Sequence, residues 1–369
     1  MKNQMKANPK IVISGGGTGG HIFPAIAIAD ALKRRFPEAD ILFIGAQGRM
    51  EMERVPKAGY PIEGLWISGF TKDVRALSLP LKLVSSLTKA RRILKRFQPD
   101  VVIGVGGFAS GPTLKAANWL GIPTVIQEQN SYPGKTNRNV GQKAKAICVA
   151  YDHMEQWFPA DRIHLTGNPL RANIAASGTR EEAAAFFNVD ANKPVVLLIG
   201  GSQGALGINK GISAQLKAFR DNDLQLIWQT GKSYFDQANQ EVKALGLEDK
   251  VKPTVFIDRM DLAYTLADTV ISRAGAMSIS ELAIVQKPVI FVPLPTAAED
   301  HQTKNAQRLV DAKAAWMVKN AETETKLVPA LLNLISQPTL QDEMKTNIGK
   351  FARPNAADDI VDQIIKVIS

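Results

Sequence analysis

The run Gly15-Gly16-Gly17-Thr18-Gly19-Gly20-His21 constrains this chain more than any other stretch, because of what flanks it. Lys10 to Ser14 is a short β-branched run that reads as a strand, and Ile22 to Arg35 reads as a helix. Glycines at such a turn let backbone N–H groups approach an anion closely, and the helix N-terminus adds partial positive charge. Alone, the loop is either a tight strand-to-helix turn or a phosphate site. The pattern recurs: strands are predicted at Ile41 to Gly45, Val101 to Gly104, Pro123 to Gln127 and Ala146 to Ala150, separated by helical segments. Such alternation builds a parallel sheet with helices on both faces.

After Gly167-Asn168-Pro169 the patterning weakens as far as Gly178, and a second series begins. The strand Pro194 to Ile199 runs into Gly200-Gly201-Ser202-Gln203-Gly204-Ala205 and a helix, followed by strands at Leu224 to Gln229, Val251 to Phe256, Thr269 to Ser272 and Pro288 to Val292. The expected class is α/β, with two doubly wound Rossmann-like domains, residues 1–171 and 172–352. Ile360, Val361, Ile364, Ile365 and Ile368 share one helical face, so the segment 353–369 is expected to pack back on the first domain. A third glycine loop runs from Gly104 to Pro112. Ligands of open parallel sheets bind outside the carboxyl ends of the strands. Two domains facing a central cleft would therefore offer it glycine loops from both sides.

Composition narrows the function classes. With 369 residues, 45% of them hydrophobic and 22% charged, the chain builds real cores rather than remaining disordered. The single cysteine, Cys148, excludes an internal disulfide framework and a multi-cysteine zinc site, and fits a reducing compartment. Neither a signal-peptide core nor a run of the ~18 apolar residues needed to span a bilayer is present, so a soluble or surface-bound protein is expected. The net charge of +10 points to an anionic partner.

Two phosphate motifs fail on inspection. Gly15, Gly17 and Gly20 satisfy G-x-G-x-x-G, but the second strand ends in Ala46-Gln47 where a dinucleotide site wants an acidic residue. Gly231-Lys232-Ser233 resembles the end of a P-loop, yet Leu226 stands where its first glycine belongs.

Six motifs then occur in order: Gly16-Gly17-Thr18-Gly19-Gly20-His21 with Pro24; Gly106-Gly107-Phe108 with Ser110-Gly111-Pro112; Glu128-Gln129-Asn130; Gly167-Asn168-Pro169 with Arg171; Gly200 to Ala205; and Ser272-Arg273-Ala274-Gly275-Ala276 ending at Glu281. From about residue 10 to the C-terminus the chain closely resembles the MurG-type transferases of bacterial peptidoglycan synthesis. The resemblance implies a GT-B fold and inverting transfer of N-acetylglucosamine from UDP-GlcNAc to an undecaprenyl-pyrophosphoryl-muramoyl-pentapeptide lipid. It maps the donor site onto Thr18, Gly19, Gly20, Asn130, Arg171, Ser202, Ile257, Ala276, Met277, Ser278, Ile279, Ser280, Glu281 and Gln302. Ser202 and nearby amides suit the diphosphate, Glu281 the ribose hydroxyls, backbone groups of Ile257 the uracil, and Asn130 and Gln302 the sugar. Gly17, Gly106, Gly107 and Phe108 fall to the acceptor. Around Gln302 the stretch from Glu299 to Ala306 departs from the family pattern.

Two residues are candidates for taking the acceptor hydroxyl's proton: His21, whose other reading is a hydrogen-bond donor to an acceptor phosphate, and Glu128. No Asp-x-Asp stands between the glycine loops, and no cofactor or obligatory metal is expected.

Between Thr71 and Asp100 lie eight Lys or Arg and two acids, interleaved with leucines. This reads either as an amphipathic helix with its leucines in the core or as a patch on an anionic membrane; a mixture is expected, with Lys72, Arg75, Leu79, Leu83 and Lys89 facing the bilayer. Nucleic acid would also suit the charge, but no binding motif or interleaved aromatics accompany it, and none is expected as a partner. The resemblance thus places the protein on the cytoplasmic face of the bacterial membrane, peripherally, with other cell-wall synthesis and division proteins as candidate partners. The alternatives are another GT-B enzyme, either a glycolipid glycosyltransferase or a UDP-GlcNAc 2-epimerase, and a non-catalytic nucleotide-sugar sensor.

Overall fold

The computed structural model describes residues 8–68, 79–170, 177–201 and 204–369. The chain divides into two compact units, residues 1–171 together with 353–369, and residues 172–352.

The first unit is built on strands β1 (Lys10–Ser14), β2 (Asp40–Ala46), β3 (Ile62–Leu65), β4 (Val101–Gly104), β5 (Thr124–Glu128), β6 (Ala146–Val149) and β7 (Ile163–Leu165). All pair in parallel, in the order β3-β2-β1-β4-β5-β6-β7. The central strands are buried on both faces, so they read as unbroken apolar runs such as Val101-Val102-Ile103. The second unit repeats the arrangement with β8 (Val195–Ile199), β9 (Gln225–Gln229), β10 (Val251–Thr254), β11 (Thr269–Ser272), β12 (Val289–Phe291) and β13 (Trp316–Met317), ordered β10-β9-β8-β11-β12-β13. Each sheet reverses its winding once, at β1/β4 and at β8/β11, and it is at such switch points that open α/β sheets bind ligands. The glycine-bearing loops after β1, β4, β8 and β11 all lie at these two points.

Three strands, β3, β7 and β13, carry no clear sequence signal. Each lies at the edge of its sheet and is short, and none presents an unbroken buried apolar run. The strand predicted to Phe256 stops at Thr254, and Val255 and Phe256 turn out to solvent.

The helix Ala356–Ile368 belongs to the first unit and packs on the helix Gly19–Arg35, burying Ile360, Val361 and Ile364 in one cluster with Ile28, Leu32 and Ile103. Cys148 lies in the same cluster, and burial pushes its thiol up to about 12, which makes it a small core residue rather than a nucleophile. Truncating Ile360 leaves a cavity where the chain's end closes the first core. Ile360→Ala is expected to cost about 2–5 kcal/mol. Native-state hydrogen exchange checks this: amides of β1 and β4 should lose protection while those of β8 and β11 keep theirs.

Candidate active site

At the carboxyl ends of β1 and β4 two glycine loops interlock. A Cβ on Gly107, whose φ is +86°, would lie 2.1 Å from the Gly16 carbonyl oxygen, and one on Gly15 would lie 2.2 Å from a Val105 methyl. Only glycine permits that approach. A buried carboxylate that sequence reasoning missed holds the first loop from the other side. Glu51, in the helix Glu51–Lys57, accepts the Gly17 N–H on Oε2 at 2.9 Å and the Ala46 N–H on Oε1 at 3.0 Å. The Gly17 amide is therefore engaged by a protein carboxylate, where the sequence reading had it free to serve an acceptor phosphate. The Phe108 ring covers Gly17 from outside and is itself 41% exposed.

The helix Gly19–Arg35 starts from this loop with Thr18 as its N-cap, and no side-chain hydrogen bond caps it. Thr18 Oγ1 lies 3.1 Å from His21 Nδ1, which fixes the imidazole ring. The far edge of that ring lies over Gly106: a Cβ there would meet His21 Nε2 and Cδ2 at 2.8 Å. His21, Thr18, Gly17, Gly106, Gly107 and Phe108 are thus gathered at one switch point.

Glu128, at the end of β5, is placed differently from a solvent-facing base. It is 1% exposed, and its oxygens serve its own loop and the helix Lys135–Gly141 that follows: Oε1 accepts from the Asn130 backbone at 3.0 Å and side chain at 3.3 Å, Oε2 from Gly134 N–H at 3.2 Å and Asn137 Nδ2 at 2.9 Å. Burial still outweighs these bonds and pushes its carboxyl above the usual range. This geometry suits a residue that shapes the Asn130 loop better than one that takes a proton from substrate. Neighbouring motif residues are tied together as well. Gln127 Nε2 donates to Asn168 Oδ1 at 3.0 Å, and Asn168 Nδ2 donates to the Gln129 carbonyl at 3.1 Å.

In the second unit, the loop after β8 turns at Gly201 and Gly204, both with positive φ. A Cβ on Gly204 would strike the Thr230 carbonyl at 2.2 Å, whereas among the described residues nothing lies within 4 Å of where a Cβ on Gly201 would stand. Ser202 lies outside the described residues, as does Arg171. Next to this loop, β11 leads through Arg273-Ala274-Gly275 into the helix Ala276–Val285, which starts without a side-chain cap and has no acidic residue in its first turn. Its free N–H groups can receive an anion. Arg273 Nη1 donates to the carbonyls of Val292 at 3.0 Å and Pro293 at 3.1 Å and to Asn320 Oδ1 at 2.9 Å; burial brings its guanidinium down to about 10. Arg273 is thus a brace for the loop after β12.

The predicted stretch from Ala276 to Glu281 divides by helical face. Ile279 is 2% exposed and turns into the core, so its side chain is not a ligand contact, and Ala276 is buried as well. Ser280 Oγ donates back to the Ala276 carbonyl at 3.1 Å. Met277, Ser278 and Glu281 are half-buried, and Glu281 Oε2 accepts from the Tyr264 phenol at 3.0 Å. The Ile257 side chain is buried, which leaves its backbone as the part able to address a ligand. Gln302 Oε1 accepts the Leu294 N–H at 3.0 Å.

The basic stretch forms the helix Leu79–Phe97; Lys72 and Arg75, and the side chain of Leu79, lie outside what is described. Ala90, Ile93 and Leu94 face the core, while Leu81 and Val84 are 69% and 64% exposed and Leu83 is exposed as well. Lys82 Nζ lies 5.7 Å from the centre of the half-exposed Trp66 ring. Lys89 departs from the expected membrane-facing position: its ammonium donates to the Gly64 carbonyl of β3 at 2.7 Å and is half-buried. Among the described residues no helix is long and apolar enough to cross a membrane.

Known proteins match this arrangement along the whole chain. Residues 11–149 match the glycosyltransferase family 28 N-terminal domain, and residues 195–360 match the family's C-terminal domain. A relative from Flavobacterium psychrophilum is 51% identical over 97% of this chain and 98% of its own length; it is named UDP-N-acetylglucosamine--N-acetylmuramyl-(pentapeptide) pyrophosphoryl-undecaprenol N-acetylglucosamine transferase. The crystal structure of Acinetobacter baumannii MurG superposes with a TM-score of 0.78 at 30% identity, covering 97% of this chain and 99% of that one. A Neisseria meningitidis UDP-GlcNAc 2-epimerase shares the fold at a TM-score of 0.67 and 16% identity, covering 97% of this chain and all of that one (100%). Two parallel-sheet Rossmann-like units, glycine loops at both switch points and full-length identity of this order lead to one assignment: the chain belongs to glycosyltransferase family 28, with the MurG-type GT-B transferases.

Proposed function

We propose that this chain moves N-acetylglucosamine from UDP-GlcNAc to the undecaprenyl-pyrophosphoryl-muramoyl-pentapeptide lipid, inverting the sugar's anomeric centre. The observation that carries this reading is the 51% identity, across nearly the full length of both chains, to a relative named for that transfer. In the second unit, the turn at Gly201 and the uncapped start of the helix Ala276–Val285 hold the diphosphate and stabilise the charge that UDP carries as it leaves. Glu281 accepts the ribose hydroxyls, the Ile257 backbone addresses the uracil, and Gln302 and Asn130 address the sugar. Arg171 and Ser202 are assigned to the same donor by the family pattern alone.

His21 is the base. An acceptor hydroxyl oxygen attacks C1 of the sugar, the C1–O bond to the diphosphate breaks, UDP leaves with the electron pair, and the hydroxyl proton passes to His21 Nε2. This requires the tautomer in which Nδ1–H donates to Thr18 Oγ1, so that Nε2 keeps its lone pair; the 3.1 Å contact supports it. Glu128 contributes by holding the Asn130 loop. The exposed Leu81, Leu83, Val84 and Trp66, with Arg91, Arg92 and Lys95 further along the helix, form a surface suited to the cytoplasmic leaflet that carries the lipid. The enzyme is thus a peripheral membrane protein that serves cell-wall growth.

Incubation with UDP-GlcNAc should release UDP only when the muramoyl-pentapeptide lipid is present; isomerisation of UDP-GlcNAc without acceptor would instead mark an epimerase. His21→Ala should lower kcat by roughly 10²–10⁴-fold with little change in donor affinity, and unchanged turnover would remove His21 from the base role. In sedimentation with anionic vesicles the wild-type chain should pellet and the variant Leu81→Glu/Val84→Glu should stay largely in the supernatant. Retention of DNA with no vesicle binding would overturn the membrane reading.

A further inference from the structure

Tyr264 is a phenol with no exposed surface, on the helix Met260–Leu266, whose remaining buried residues are Leu262, Ala263 and Leu266. Its hydroxyl donates to Glu281 Oε2 at 3.0 Å from one helix to the next. Burying a hydroxyl is costly unless it is bonded, and a tyrosine whose only task is to fill space is served as well by phenylalanine. The helix that carries it begins three residues after Ile257. The phenol therefore joins the segment assigned to the uracil to the carboxylate assigned to the ribose.

We propose that Tyr264 is a positioning residue for nucleotide recognition, fixing the Glu281 carboxylate in the plane in which it meets the ribose hydroxyls. The proposal rests on the donor reading given above. An ionised carboxylate offers about four lone-pair sites, so the bond it accepts from the phenol is compatible with further bonds from sugar hydroxyls. Burial and the adjacent carboxylate both push the phenol well above its usual range, so it remains a donor at any pH at which the protein works. Tyrosine is the suitable partner for such a task. A lysine or arginine in its place would put a buried charge beside the carboxylate, whereas the neutral phenol orients it through one hydrogen bond.

The test is calorimetric titration of the full-length protein with UDP and with 2′-deoxyuridine diphosphate, for the wild type, Tyr264→Phe and Glu281→Gln. Phenylalanine keeps the ring and its packing, and a melting curve of each variant verifies the fold. Wild type should prefer UDP, Glu281→Gln should lose most of that preference, and Tyr264→Phe should narrow it by roughly tenfold, the order expected for a hydrogen bond to a charged group. In the double variant the preference should fall no further than in Glu281→Gln. If wild type binds no UDP, the donor reading itself fails. If Glu281→Gln keeps the preference, the ribose assignment fails and the role of Tyr264 with it. If Glu281→Gln loses the preference while Tyr264→Phe retains it, whatever its melting temperature, Tyr264 is structural only and the proposal is overturned.

Discussion

Where β1 and β4 end, the backbone of Gly16 lies so close to Gly107 that any side chain at position 107 would overlap its carbonyl oxygen. The rest of that end of the first unit depends on this contact. It sets the loop from which the helix Gly19–Arg35 starts, and so puts the His21 ring over Gly106 and the Phe108 ring over Gly17. Loops packed this tightly have no room to relax, and a positioned base is effective only within a narrow geometry. The glycines supply closeness, but by themselves they bring only the entropy cost of a flexible chain. Something else must hold the loop in one conformation.

In the first unit, buried carboxylates do this. Glu51 spans the β1 loop and the end of β2, and Glu128 gathers backbone and side-chain N–H groups of the loop after β5. Loops rich in outward N–H groups are answered by an acceptor-only side chain, and a carboxylate taking several such bonds recovers part of its lost hydration. For Glu128 the recovery is incomplete, as its raised carboxyl shows. The second unit uses the opposite sign. After β12 it is carbonyl groups that need partners, and Arg273 supplies them from the motif after β11. The chemistry of the brace thus follows the polarity of the backbone it braces.

This explains what could be read from the sequence. Strands and glycine loops are local signals: Lys10–Ser14 followed by five glycines and a threonine allows few structures, and the apolar run Val101 to Ile103 marks a strand buried on both faces. Glu51 is not a local signal. Two residues later stands Glu53, chemically identical and exposed, and only the distant Gly16 and Gly45 decide which of the two is buried. The same blindness makes Glu128 a candidate base beside His21 in the sequence, since its burial is set by β5 and Asn137. Lys89 reads as one more surface lysine because its partner carbonyl lies on β3, an edge strand that gives no signal of its own.

The basic helix shows why composition cannot settle orientation. Its N-terminal half is rich in leucine and carries one basic residue, Lys82, while five of its basic residues lie in the C-terminal half, and the two halves turn their apolar side chains in different ways. Toward the C-terminal end Ala90, Ile93 and Leu94 meet the core while Arg91, Arg92 and Lys95 reach water, which is ordinary amphipathic packing. Toward the N-terminal end Leu81, Leu83 and Val84 reach water, while Lys82 folds across the Trp66 ring. A single exposed leucine requires no explanation, but Leu81, Leu83 and Val84 within four residues, with Trp66 half-exposed, leave more large apolar side chains in water than a solvent-facing helix needs. Charge and apolar exposure therefore follow one another along this helix rather than alternating around it, and that order is what the proposed membrane face uses: the leucines to enter the interface, the arginines to hold the anionic surface beside it.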